Sequence, residues 1–222
     1  VSVKTWHSTI FAPYFVIGAV LSGVSGVVTV MILMRWLFGW QEYVRREHID
    51  ALARLLVVIA IAWFYFFAIE LMFGIYGQEG DELATRHLQM FEPPWSWFFL
   101  TFIITAFFFP VPLWLFRNVR RSFLLMTITT ISVNIGMWLE RLIIVVPGLM
   151  RKQTFTGTWY TYAPSPVEIT IVAGTFAMVL MLFLLFAKVF PLIPLFDIKE
   201  GQVLSDEIRI GRKRIPAVIR EE

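Results

Sequence analysis

LLVVIAIAWFYFFAIELMFGIY, the stretch from Leu55 to Tyr76, decides the fold: it is 22 residues long and Glu70 is its one charged side chain. About 20 mostly apolar residues in a helix cross a hydrocarbon core of roughly 30 Å. Lipid demands such a helix because each backbone polar group is then bonded within its own segment. With its flank the span covers 52–76, and four stretches of the same kind lie around it. One runs over 13–34 and is stopped by Arg35, and another over 95–116 carries Pro110 and Pro112. A third, 122–149, is interrupted by Glu140 and Arg141, and the last, 167–190, has Lys188 near its end, where a long stem reaches the interface. The runs are too long and too little alternating for a β-barrel. The expected fold is an all-α membrane protein of about five transmembrane helices over residues 1–196, with a cytoplasmic tail over 197–222 long enough for a strand or two.

Composition agrees. Of 222 residues, 58% are hydrophobic and 16% charged, against roughly 25% charged in soluble domains. The mean hydropathy is +0.73, and 22 Phe, 9 Trp and 6 Tyr are present. So short a chain has too little interior to hide this much apolar surface, which excludes a soluble enzyme, and disorder with it. The absence of cysteine excludes thiolate-held clusters, Cys-based zinc sites and disulfides. The surroundings are the lipid bilayer, and no nucleic-acid partner is expected. No signal-peptide pattern is visible. The first residue is Val1, which suits a processed N-terminus or the later part of a longer chain.

Orientation follows from Lys and Arg outside the spans. One side holds Arg35, Arg45, Arg46, Arg54, Arg117, Arg120 and Arg121, with seven more from Lys188 through the tail. The other holds Lys4, Arg86, Arg151 and Lys152. Fourteen against four puts the N-terminus outside and the C-terminus in the cytoplasm. The loop between the second and third spans is then outside and acidic, with Glu79, Asp81, Glu82 and Glu92. Trp95, Trp97, Trp159, Tyr160 and Tyr162 fall where an outer aromatic belt would sit.

Ionisable groups at membrane depth cost several kcal/mol and are functional candidates. Glu70 lies about 15 residues past Arg54, hence roughly 22 Å from the inner side. Glu140 and Arg141 lie at a similar height, and His7, beside Trp6, enters from the same outer side. Neighbouring helix positions point about 100° apart, so Glu140 and Arg141 each need a partner elsewhere, and the expected pair is Glu70 with Arg141. Thr127, Thr130, Asn134, Trp138 and Arg141 share one helix face, and that polar stripe is expected to look into the bundle. The same groups read either as a structural ion pair or as a proton-handling site. Gly18, Ser22 and Gly26, four apart, suit close helix packing. The two prolines predict a kinked or broken third span. His7, His48 and His87 all lie outside the spans, so haem ligation at depth is not expected. No cofactor is expected to be held by this chain alone.

Several of these residues carry a family resemblance. Trp6-His7-Ser8-Thr9-Ile10-Phe11-Ala12-Pro13-Tyr14-Phe15 resembles the start of the second helical bundle of NrfD-like (polysulfide-reductase-type) membrane subunits. Asn134-Ile135-Gly136-Met137-Trp138-Leu139-Glu140-Arg141 and Trp159-Tyr160-Thr161-Tyr162-Ala163-Pro164-Ser165-Pro166 resemble the subtype found in bacterial alternative complex III. Pro110-Val111-Pro112-Leu113-Trp114 and Glu70 with Tyr76-Gly77 fit the same pattern; Ala12 departs from it, since the family usually has a second Pro there. The resemblance implies a four-helix bundle plus one further helix, in a multi-pass subunit of the bacterial cytoplasmic membrane. It implies oxidation of menaquinol or another quinol near the outer face, and transfer of electrons to cytochrome c or a copper protein. An iron–sulfur subunit on the outer face, multihaem cytochrome c subunits and a homologous membrane subunit would be the partners, and these would hold the haem and iron–sulfur clusters. His7, whose ordinary pKa is near 6.5, would accept a proton from quinol, with Trp6 in the quinone's vicinity. Glu70, Glu140, Arg141, Asn134 and Thr130 would form a proton relay or an electrostatic frame. A proton or ion transporter without redox chemistry, and a purely structural anchor, remain the alternatives.

Overall fold

A computed structural model describes residues 8–41, 43–150, 162–190, 207–210 and 213–216. Helix α1 (Phe11–Leu37) is followed by α2 (Arg46–Tyr76), α3 (Gly80–Phe91) and α4 (Trp95–Ile103). A π turn (Ile104–Phe108) joins α4 to α5 (Pro110–Leu115), and α6 (Arg117–Arg120), α7 (Phe123–Met150) and α8 (Pro166–Val189) complete the helices. Strands β1 (Glu207–Ile210) and β2 (Lys213–Pro216) pair antiparallel, with Glu207 opposite Pro216. Five helical stretches are long and apolar enough to cross a membrane: α1, α2, Trp95–Leu115, α7 and α8. The chain is thus an all-α multi-pass membrane protein apart from one short hairpin in its tail.

The chain divides into two units, Val1–Tyr162 and Ala163–Glu222. In the first, α1 packs on α2 and α7, while α4 and the π turn pack on α7, which makes a four-helix bundle. In the second, Ser165 opens α8 with a capping box: its Oγ accepts from Glu168 N at 3.3 Å and its N–H donates to Glu168 Oε2 at 3.0 Å.

The bundle seams follow spacings of three and four. Tyr14, Gly18, Leu21, Ser25, Val28 and Ile32 are the buried face of α1. On α2 the series Ile49, Ala53, Leu56, Ala60, Trp63 continues through Glu70 and Gly74, so Glu70 occupies an ordinary core position. On α7 the series Met126, Thr130, Val133, Met137 continues to Glu140. The expected polar stripe runs one position off this seam: Thr130 is in it, but Trp138 is exposed. Trp95, expected in an aromatic belt, is buried instead, whereas Trp97 is exposed.

Residues 80–91, read from sequence as part of an acidic loop, form the amphipathic helix α3, with Glu82, Thr85, Leu88 and Gln89 buried. This helix packs on α4, α7 and α2 and so closes one end of the bundle.

Two prolines open the backbone, and each opening is answered from another helix. Pro147 lacks an N–H, so the carbonyl of Ile143, four residues before it, has no intrahelical donor. Gln89 Nε2 on α3 donates to that oxygen at 3.0 Å. In the third span Phe109 N–H bonds back five residues to Ile104 O at 2.8 Å, and Pro110 has no N–H to offer. The carbonyl of Thr105 is thereby freed, and Ser132 Oγ on α7 donates to it at 3.0 Å. One turn along α7, Gly136 lies so close that a Cβ there would sit 2.7 Å from Ala106 N and from Thr105 Oγ1.

Candidate functional site

The charged residues that the sequence places at depth meet at the end of the bundle bearing Ser8 and α3. Glu140 is 1% exposed and lies between α1 and α2. Its Oε1 accepts hydrogen bonds from Tyr14 Oη and, at 3.2 Å, from Trp63 Nε1. Its Oε2 faces Arg141 Nη2 at 3.6 Å and accepts no hydrogen bond among the described residues. Glu70, 4% exposed, accepts from Ser8 Oγ at 2.5 Å on Oε2 and from Arg86 Nη2 at 3.2 Å on Oε1. Arg86 also reaches Glu82 Oε1 at 3.5 Å.

The expected Glu70–Arg141 pair is not formed. Because α3 folds over the bundle end, it brings Arg86, read from sequence as a loop charge, onto Glu70. The guanidinium of Arg141 turns to α1 instead, with its central carbon 3.9 Å from the ring centre of Phe15. Gly18 leaves the space: a Cβ there would lie 3.0 Å from Arg141 Nη2. Arg141 thus swings back beside its own neighbour Glu140, a meeting that the 100° step between adjacent positions argues against and the long arginine stem permits.

Glu70 and Glu140 line one cavity of about 30 Å³ with Tyr14, Arg86 and Gln89, walled otherwise by phenylalanine and isoleucine. Since about 10–15 Å³ of such volume accommodates one water, this space suits about two and is far below the roughly 300 Å³ at which ligand pockets begin. A stack of Trp63 on Phe67, with ring centres 5.6 Å apart, and Phe102 edge-on to both close it toward the middle of the bundle.

Thr130 and Asn134 do not join this cluster. Thr130 Oγ1 lies 2.9 Å from Thr29 Oγ1, and Asn134 Nδ2 donates to Thr130 O at 2.9 Å. Asn134 is six residues before Glu140, roughly 9 Å along the axis, and the buried Met137 lies between them in sequence. The hydroxyls of Ser22, Ser25 and Thr29 bond to carbonyls on their own helix. His7 and Trp6 lie outside the described residues.

Sequence reasoning missed Ser8, Tyr14, Arg86 and Gln89 as parts of the site. The available signal for the last two was the spacing of Glu82, Thr85, Leu88 and Gln89 on one face of a helix. It also missed a second cluster, built around the buried Asp50, toward the opposite end of the bundle. There Asp50 binds Arg120 Nε at 2.8 Å and Arg54 Nη2 at 2.5 Å, and Arg120 Nη1 caps Trp114 O and Leu115 O.

No three His, Cys, Asp or Glu side chains among the described residues come together as a metal site. His48 Nδ1 accepts from Arg45 N at 3.4 Å, and His87 Nδ1 lies 3.5 Å from Glu92. Chemically, the cluster offers two carboxylates from different helices, each bonded to a hydroxyl and facing an arginine, around a water-sized space.

The family model described as "Polysulphide reductase, NrfD" matches residues 1–152, which takes in α1 through α7. No curated protein matches the chain.

Proposed function

The chain belongs to the NrfD (polysulphide reductase) family, and from this we propose that it is the proton-handling part of a quinol-oxidising membrane complex of the alternative complex III type. Quinol oxidation yields two electrons and two protons. The electrons go to iron–sulfur and haem centres of partner subunits, and from there to cytochrome c or a copper protein. The protons leave through acceptors near the outer face, with His7, Glu70 and Glu140 in that role, and the positive-inside bias of the loops supports this orientation.

The observation that carries this reading is the shared cavity: Glu70 of α2 and Glu140 of α7 line one water-sized space beside Arg86. Carboxylates so arranged pass a proton through one or two waters, with the arginines holding the excess negative charge. The space is too small for a quinone ring, so menaquinol or another quinol binds outside it, with His7 as the first proton acceptor and Trp6 beside it. Thr130 and Asn134 act as packing and hydrogen-bonding residues rather than as part of this relay.

Glu140→Gln in the purified complex tests the proposal, because glutamine keeps the acceptor for Tyr14 and Trp63 but cannot take up a proton. Positioned acid–base groups are worth about 10²–10⁴-fold, and quinol:acceptor turnover should fall at least tenfold with haem and iron–sulfur content unchanged. Full turnover in both Glu140→Gln and Glu70→Gln would refute the relay. Full turnover in His7→Ala would remove His7 from the site.

A further inference from the structure

Toward the other end of the bundle, α1 and α7 leave a groove of about 640 Å³ between them, within the range of small-molecule sites. Its walls are Ile32, Leu33, Leu124 and Ile131, while Arg35 and Gln41 also line it. Thr29 and Thr127 line it too, but their hydroxyls bond to Ser25 O and Phe123 O, each at 2.9 Å. Arg35 and Gln41, with the exposed Trp36 that also lines it, therefore supply its polar chemistry, and Arg35 its only charge among the described residues.

Arg35 is half-buried and pairs with no carboxylate among the described residues. Its Nη1 donates to Val44 O at 3.2 Å, and its guanidinium carbon lies 4.3 Å from the centre of the Phe123 ring, which holds the group at the groove. The segments 35–54 and 117–121 together carry seven arginines against three carboxylates. A largely apolar groove with one cation that meets no carboxylate among the described residues, at a basic end of a membrane bundle, is complementary to a molecule with an apolar tail and an anionic head. Basic pockets between transmembrane helices bind anionic lipid headgroups in this way.

We propose that the α1–α7 groove holds one anionic phospholipid, its acyl chain along Leu33, Leu124 and Ile131 and its phosphate on Arg35. The site is separate from the Glu70–Glu140 cluster and does not depend on the function assigned to that cluster.

The test uses the purified complex, stripped of loosely bound lipid in detergent and titrated with phosphatidylglycerol or phosphatidylcholine, with bound lipid counted by native mass spectrometry. The wild type should retain one phosphatidylglycerol with about fivefold preference over phosphatidylcholine, the worth of one basic residue near an anionic head. Arg35→Gln should abolish the preference and Arg35→Lys should keep it. Leu124→Trp, at an exposed groove position whose change leaves the core untouched, should lose the lipid with the charge intact. Arg117→Gln, exposed and outside the groove, should bind as the wild type does. A phosphatidylglycerol preference that survives Arg35→Gln, undiminished binding in Leu124→Trp, or equal retention of the two lipids by the wild type would overturn the proposal. So would recovery of quinone or a protein segment in the groove.

Discussion

Replacing Gly136 by alanine should destabilise the bundle by about 2 kcal/mol, whereas the same change at Gly23 should be neutral or stabilising. The added Cβ at 136 would lie 2.7 Å from Ala106 N, 2.7 Å from Thr105 Oγ1 and 2.9 Å from Ala106 Cα. Non-bonded carbon atoms rest at about 3.5–4.0 Å, so the π turn must retreat from α7 by about 1 Å. Two of the three obstructing atoms are backbone and cannot rotate away. Overpacking of this kind costs about 1–3 kcal/mol, and retreat also stretches the 3.0 Å Ser132–Thr105 bond, worth about 1 kcal/mol. Alanine's helix propensity returns about 0.8–1.0 kcal/mol, which leaves the net figure near 2. At Gly23 a Cβ meets nothing within 4 Å, so the propensity gain stands alone. Reversible unfolding of the purified subunit in mixed micelles, followed by tryptophan fluorescence, measures both. A Gly136→Ala midpoint at or above wild type, or an equal loss at Gly23→Ala, would refute the packing argument.

Three further outcomes are expected. Gln89→Leu should cost about 1–3 kcal/mol by leaving Ile143 O unsatisfied, but much less in a Pro147→Ala background, where the backbone regains its own bond; a double-mutant cycle with no coupling would contradict this. Asp50→Asn should cost about 3 kcal/mol by leaving Arg120, whose side chain is 15% exposed, without its carboxylate, whereas Arg54→Gln, whose side chain is 65% exposed, should stay within about 1 kcal/mol; unfolding midpoints separate the two. Arg86→Met should lower assembly yield by leaving Glu70 and Glu82 without their cation, and Arg86→Met with Glu70→Gln should recover part of it; a double variant worse than the single one would count against the Glu70–Arg86 pair.

The five spanning stretches were legible because lipid leaves a helix few alternatives, and length with charge-free sequence marks each one. The break in the third span was equally legible from Pro110 and Pro112. Depth in the membrane marked Glu70, Glu140 and Arg141, but spacing put Arg141 rather than Glu140 on the inward face of its helix, one position off the seam, and their partners could not be read. Partner choice depended on α3, whose polar sequence looks like an exposed loop until it is placed over the bundle, and on Gly18, which makes room for Arg141 beside Phe15. Asp50 was hidden for a similar reason: it sits among loop charges in the sequence, and only folding brings Arg120, seventy residues away, to its carboxylate. Charge at depth announces a site, whereas its wiring is a tertiary property.

The freed carbonyls of Ile143 and Thr105 bear on how such a chain enters its bilayer. A peptide oxygen facing acyl tails without a donor carries a penalty of several kcal/mol. The third span taken alone carries one such oxygen until Ser132 reaches it, and the fourth carries another until Gln89 arrives. Release of these two segments from the insertion machinery should therefore be joint, with α3 settling before the pair is left to lipid. Biogenesis of this part of the bundle would then be gated by a hairpin rather than by its individual helices.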